Sequence, residues 1–179
     1  MSKPHYKAVV LDLFDTIVNW DGSLLPVVVW RGRELRNTAP LLFPTLEAEL
    51  GESFSRDAFL DGHYGVYEEI FAQRAVDEPL EITCLQRYAR TLERLGLEHG
   101  DIGRLAEKLR GLHMSQVRAV TSAPAHRVEA VRRLAHQFRL GLLSNFDDTS
   151  TGHQIMDDTG LRNLFEVIII SAEVGLRKP

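Results

Sequence analysis

At 179 residues the chain is long enough for one sizeable core, or a core with a smaller insert, and too short for several independent domains. Hydrophobic residues make up 44%, charged residues 26%, and the net charge of -4 gives a pI near 6.0, which leaves no general attraction for nucleic acid or an anionic membrane. The single cysteine, Cys84, excludes an internal disulfide and a multi-cysteine metal site, and with no histidine or basic cluster adjoining it in sequence it reads as a buried structural thiol.

The N-terminal "MSKPHYK" lacks the apolar run of a signal peptide, and no later segment holds about 18 uncharged apolar residues. A cytoplasmic location is the expectation. "KAVVLDLF" (7–14) is a short apolar run ending near an aspartate, and it predicts a strand. "NWDGS" (19–23) supplies turn residues where the chain would leave the core. "VWRGRELR" (29–36) carries Arg31, Arg33 and Arg36, expected on a solvated helix face because arginines are normally exposed.

The next stretches, 53–75, 80–97 and 101–118, are helical by period, with short breaks at 77–79 and 98–101. Short connections imply antiparallel neighbours, so residues 21–119 are expected to form a small helical bundle without strands. Tyr64, Tyr67, Phe71 and Tyr88 fall at helical spacing and read as its core. "TSAPA" (121–125) brings the chain back. There 125–137 predicts a helix, 138–145 a strand, 151–160 a helix stopped by Gly160, and 165–172 a strand. The alternation predicts an α/β fold, a doubly wound parallel sheet with strands buried on both faces. It is formed by residues 1–20 and 120–179, with the helical cap inserted between them.

In an open α/β sheet, ligands bind at the carboxyl ends of the strands. Asp12 closes the first strand, Ser144 and Asn145 the second, and Lys178 follows the third. An acid, a hydroxyl-amide pair and a cation would therefore converge on one crevice.

In this order, with an insert between the first and second, these residues resemble the haloacid dehalogenase superfamily of hydrolases. Asp12 with Thr16 matches its first motif, Ser144 with Asn145 its second, and Lys178 with Pro179 its third. The insert stands where that family carries a helical cap. The resemblance implies that Asp12 is a nucleophile forming a covalent ester that water then cleaves. Ser144 and Asn145 would donate hydrogen bonds to an anionic small-molecule substrate, and Lys178 would hold Asp12 ionised.

Phe14 selects among the family's chemistries. Phosphatases of this kind place a second aspartate two positions after the nucleophile, to protonate the leaving alkoxide. Phe14 has no titratable group. The dehalogenase branch has an aromatic residue there, and a halide leaves as a stable anion that needs no proton. No cofactor is implied on that branch. The alternative is a magnesium-dependent phosphatase, with Asp12 and the Phe14 backbone carbonyl as metal ligands. A branch cleaving carbon-phosphorus bonds needs a cap lysine, and the only one is Lys108. Arg31 is the candidate for gripping a substrate carboxylate.

Two departures accompany the resemblance. Asp15 stands where dehalogenases commonly have glycine, and it is expected to serve the turn. The family's fourth motif, one or two aspartates after a further strand, is not found before Pro179. The chain therefore reads as incomplete, its first strand lies at an open sheet edge, and a dimer or partner protein is expected to cover it. A third reading follows, of a non-catalytic remnant or assembly subunit. Asp147-Asp148 and Asp157-Asp158 read as helix-capping and solvated residues rather than a cation site. The seven histidines, from His5 to His153, lack the spacing of a zinc site.

Overall fold

The computed structural model describes residues 6–76, 79–97 and 99–178. His5 and the rest of the N-terminal segment, Pro179, and parts of the turns expected at 77–79 and 98–101 lie outside them. The chain divides into two compact units, one formed by Met1–Trp20 with Thr121–Pro179 and the other by Asp21–Val120.

In the first unit, β1 (Ala8–Leu11) leads into a tight turn and then β2 (Asn19–Trp20). The second unit opens with a hairpin, β3 (Val27–Trp30) and β4 (Arg33–Arg36). Helices α1 (Ala39–Leu50), α2 (Arg56–Val76), α3 (Cys84–Arg94) and α4 (His99–Ala119) follow. The first unit then resumes with β5 (Thr121–Ser122), α5 (Ala125–Ala135), β6 (Arg139–Ser144), α6 (Thr149–Thr159), β7 (Phe165–Ile170) and a single turn, α7 (Ser171–Val174).

The first unit is built on a parallel sheet of order β1-β6-β7, with β1 at its edge. Leu140 and Leu142 of β6 and Ile170 of β7 pack with Val131 of α5 and Ile155 and Met156 of α6 into one core. That core also takes Leu13 and Ile17 from the turn after β1. Only one face is sealed in this way. On the other, Val10 and Val167 are 66% and 51% exposed and flank Gly141, so the two-sided burial expected of these apolar strands is not met among the described residues. The elements themselves fall where the apolar runs put them. Asp148 caps α6 by accepting from the Thr151 N–H (2.9 Å), and Gly160 ends it at φ 66° in the left-handed region.

The second unit departs from an all-helical bundle. Val27–Trp30 and Arg33–Arg36 form an antiparallel hairpin whose two turn residues, Arg31 (φ 49°) and Gly32 (φ 73°), both have positive φ. That is the requirement of the tight turn whose twist matches paired strands. Arg31 therefore sits at a hairpin tip rather than on a helix face, with Arg33 and Arg36 on the return strand. Helix α3 starts with a reciprocal capping box between Thr83 and Gln86. Of the four aromatic residues read as bundle core, Tyr88 is fully buried and Tyr64 and Tyr67 are half-buried, but Phe71 is 63% exposed. Cys84 is buried as expected; Arg87, one turn along α3, reaches its Sγ at 3.3 Å, so a basic group does adjoin it.

Candidate active site

The carboxyl ends of β1 and β6 lie side by side because the strands are parallel and paired from Ala8↔Arg139 to Leu11↔Leu142. Asp12 is the first residue beyond β1, half-buried, with Oδ1 accepting the Leu13 N–H at 2.7 Å. Its Oδ2 meets Lys178 Nζ at 2.5 Å. Lys178 Nζ also donates to the Leu143 carbonyl oxygen at 3.0 Å, so the ammonium is held between the ends of β1 and β6. The Asp12 and Lys178 side chains are 36% and 26% exposed, open enough to meet a ligand.

Ser144, the last residue of β6, is 1% exposed, and its Oγ has no hydrogen-bond partner. A buried hydroxyl without a partner is costly, so this oxygen keeps an unused hydrogen-bonding capacity at the carboxyl end of β6. Asn145 is engaged differently from the sequence expectation of a substrate donor. Its Oδ1 accepts the Lys178 N–H at 2.8 Å and its Nδ2 donates to the Lys178 carbonyl at 3.0 Å.

Phe14 is half-buried and its ring meets Phe146 at 4.9 Å between centroids, tilted by 46°. Both rings line the core of the first unit. The position that would carry a second acid is filled by an aromatic pair. Phe146 was not singled out from the sequence, where the only signal is an aromatic residue directly after the Ser-Asn pair. Asp15 explains its glycine-like position, since it adopts φ 59° with its N–H bonded to the Val18 carbonyl at 2.7 Å. Thr16 lies exposed in the same turn.

Arg31 belongs to the second unit. There its Nε donates to Asp61 at 3.1 Å and its guanidinium lies 4.6 Å from the centre of the Trp30 ring. Lys108 is paired with Glu49.

The residues present do not make a magnesium site of the usual kind. Asp12 has one oxygen on a backbone N–H and the other on Lys178. Among the described residues, no group of three or more His, Cys, Asp or Glu side chains could hold a metal ion. Magnesium needs near-octahedral oxygen ligation, usually with one or two free carboxylates.

No protein-family model matches the sequence, and no curated protein matches it. Solved structures do share its fold. A 2-haloacid dehalogenase from Pseudomonas syringae pv. tomato DC3000 aligns with a TM-score of 0.60 at 16% identity, covering 96% of this chain and 66% of that protein. The magnesium-bound HAD-hydrolase-like protein YfnB from Bacillus subtilis aligns with a TM-score of 0.51 at 18% identity, covering 98% of this chain and 70% of that one. The chain thus spans about two thirds of the length of these proteins. At such identities the likeness is one of fold: an α/β core with a parallel sheet and an inserted, mainly helical unit. Among the described residues, no helix is long and apolar enough to cross a membrane.

Proposed function

We propose that this chain, built on the haloacid dehalogenase-like fold, is a hydrolase that uses Asp12 as a nucleophile, with chemistry of the 2-haloacid dehalogenase kind. The observation that carries the reading is the pairing of Asp12 with Lys178 beside an aromatic residue, Phe14, in place of a second acid. The ammonium lies 2.5 Å from one oxygen of the carboxylate that the scheme uses as nucleophile. The aromatic pair offers no proton to a leaving group, so the leaving group must depart as a stable anion.

In this scheme one Asp12 oxygen attacks the carbon bearing the halogen. A carbon-oxygen ester bond forms as the carbon-halogen bond breaks, and halide leaves with the bonding pair. Water then adds to the ester carbonyl carbon and the carbon-oxygen bond to Asp12 breaks, giving a 2-hydroxy acid, a proton and the regenerated carboxylate. Ser144 Oγ, buried and unpartnered, donates to the substrate carboxylate, and the charge of Lys178 offsets the anion that accumulates in the crevice. Arg31 is already engaged by Asp61 and Trp30, and Ser144 takes precedence as the anion donor. The magnesium-dependent phosphatase reading has less support, because the donor set around Asp12 falls short of a metal site.

Halide release from short 2-haloacids tests the proposal. Turnover that survives a chelator and is abolished in Asp12→Asn is expected, with a mass increase on the Asp12 peptide during turnover. Absence of halide from a panel of 2-haloacids, or hydrolysis of phosphate esters that a chelator stops, would overturn it.

A further inference from the structure

The loop after β6 and the segment after β7 are joined by side chains that imitate a backbone. Asn145 uses both ends of its amide on residue 178, accepting from the N–H at 2.8 Å and donating to the carbonyl at 3.0 Å. A strand neighbour would offer the same donor-acceptor pair. One residue on, Phe146 is gripped in the same manner. Its N–H donates to Ser171 Oγ at 2.8 Å, and its carbonyl accepts from Ser171 Oγ (3.1 Å) and from the Ala172 N–H (3.2 Å). Ser171 is 2% exposed. Pairing of β6 with β7 ends at Ser144↔Ile170, so these contacts prolong it where no ladder remains.

We infer that Asn145 and Ser171 are positioning residues: they clamp the segment after β7 so that Lys178 Nζ is held on Asp12. The reasoning is geometric. Lys178 carries a long, flexible side chain whose ordering costs entropy, and its backbone follows the left-handed Gly175 (φ 76°) that ends α7. At residue 178 itself the Asn145 amide ties down both the backbone N–H and the carbonyl. With that amide in place, the ammonium needs only its side-chain torsions to reach Asp12 and the Leu143 carbonyl. Without it, the backbone of residue 178 loses both of these ties. The catalytic meaning of the clamp rests on the reading of Asp12 as nucleophile, whereas the clamp itself does not.

Amine labelling of the folded full chain tests it without reference to turnover. The sequence holds four lysines, Lys3, Lys7, Lys108 and Lys178, and each can be followed by mass spectrometry after brief acetylation. Lys178 is expected to label slowly in the wild type. Asn145→Ala should raise its rate about tenfold, leaving Lys7 and the circular dichroism spectrum unchanged. Asn145→Asp keeps the acceptor and loses the donor, and it should give a smaller rise; it also serves if the alanine variant fails to fold. Ser144→Ala, which removes a hydroxyl without a partner, should leave Lys178 protected. Unchanged protection of Lys178 in both Asn145 variants would overturn the inference even in an active hydrolase. A protein inactive on every haloacid but showing the expected labelling pattern would overturn the proposed function and leave the clamp intact.

Discussion

Asp15 occupies a backbone conformation that most side chains avoid, at φ 59° between Phe14 and Thr16. The left-handed region costs an ordinary residue about 1–2 kcal/mol, less for aspartate and nothing for glycine. Substitution should therefore follow the order Gly, Asp, Ala, Val from most to least stable. Asp15→Val should fall about 2 kcal/mol below the wild type, as read from urea midpoints; a valine variant as stable as the wild type would contradict the assigned turn. Phe14 makes a second residue-scale prediction. Its ring faces Phe146, so Phe14→Asp would set a carboxylate against an aromatic surface. The change should cost about 2 kcal/mol of stability without conferring phosphatase activity. Gain of phosphate-ester hydrolysis by this single change would show that the missing acid alone decides the chemistry.

At the scale of elements, α1 and α4 are tied by one carboxylate between two cations. Glu49 meets Arg104 at 2.8 Å and Lys108 at 2.9 Å, and hydrogen bonds from Arg104 first, then Lys108, draw its carboxyl down to about 2. A depressed carboxylate stabilises the fold above the ordinary value of 4.5 and loses that contribution as pH falls toward 2. Hydrogen exchange of α1 should therefore accelerate across this window, and Glu49→Gln should show the faster exchange already at neutral pH. Neither α1 nor the hairpin before it was legible in the sequence. Pro40 and Pro44 interrupt the helical signal, although Pro40 falls in the first turn of α1 where its missing N–H costs nothing. The run Val27–Trp30 shows no alternation, and the turn signal lay in Arg31-Gly32, where only glycine advertises positive φ. The three sheet strands and α5 and α6 were legible because apolar period and capping agree there. Asp12, Ser144 and Lys178 were visible as strand-end polar residues. Ser171 and Phe146 were not, because a hydroxyl bonded to a distant backbone leaves no pattern in the chain.

For the molecule as a whole, the acid limit of stability should be set within the second unit. His63 is buried, stacked at 5.5 Å between Phe59 and Tyr88, and close to Tyr67, Arg87 and His113. Burial first, then the charges of Arg87 and His113, push its imidazole well below the ordinary 6.5. The unfolded chain thus takes up a proton that the folded chain refuses. Stability is full above about 6.5 and falls as pH drops below it, by at most about 1.4 kcal/mol per pH unit from this group. Thermal melts from pH 7 to 5 should show the fall, and His63→Phe should flatten it; an unchanged slope in that variant would assign the dependence elsewhere. The long excursion that houses His63 begins and ends at neighbouring points. Asn19 and Trp20 of β2 pair with Ser122 and Thr121 of β5, and the Asp21 N–H reaches the Val120 carbonyl at 3.0 Å. A hundred residues are thus spliced into the first unit through adjacent ends, the geometry that tolerates domain insertion and circular permutation. Evolution could graft a different module at the same junction without redesigning the sheet, and a protein engineer could bridge Trp20 to Thr121 with a two-residue turn to obtain the α/β layer as a minimal scaffold.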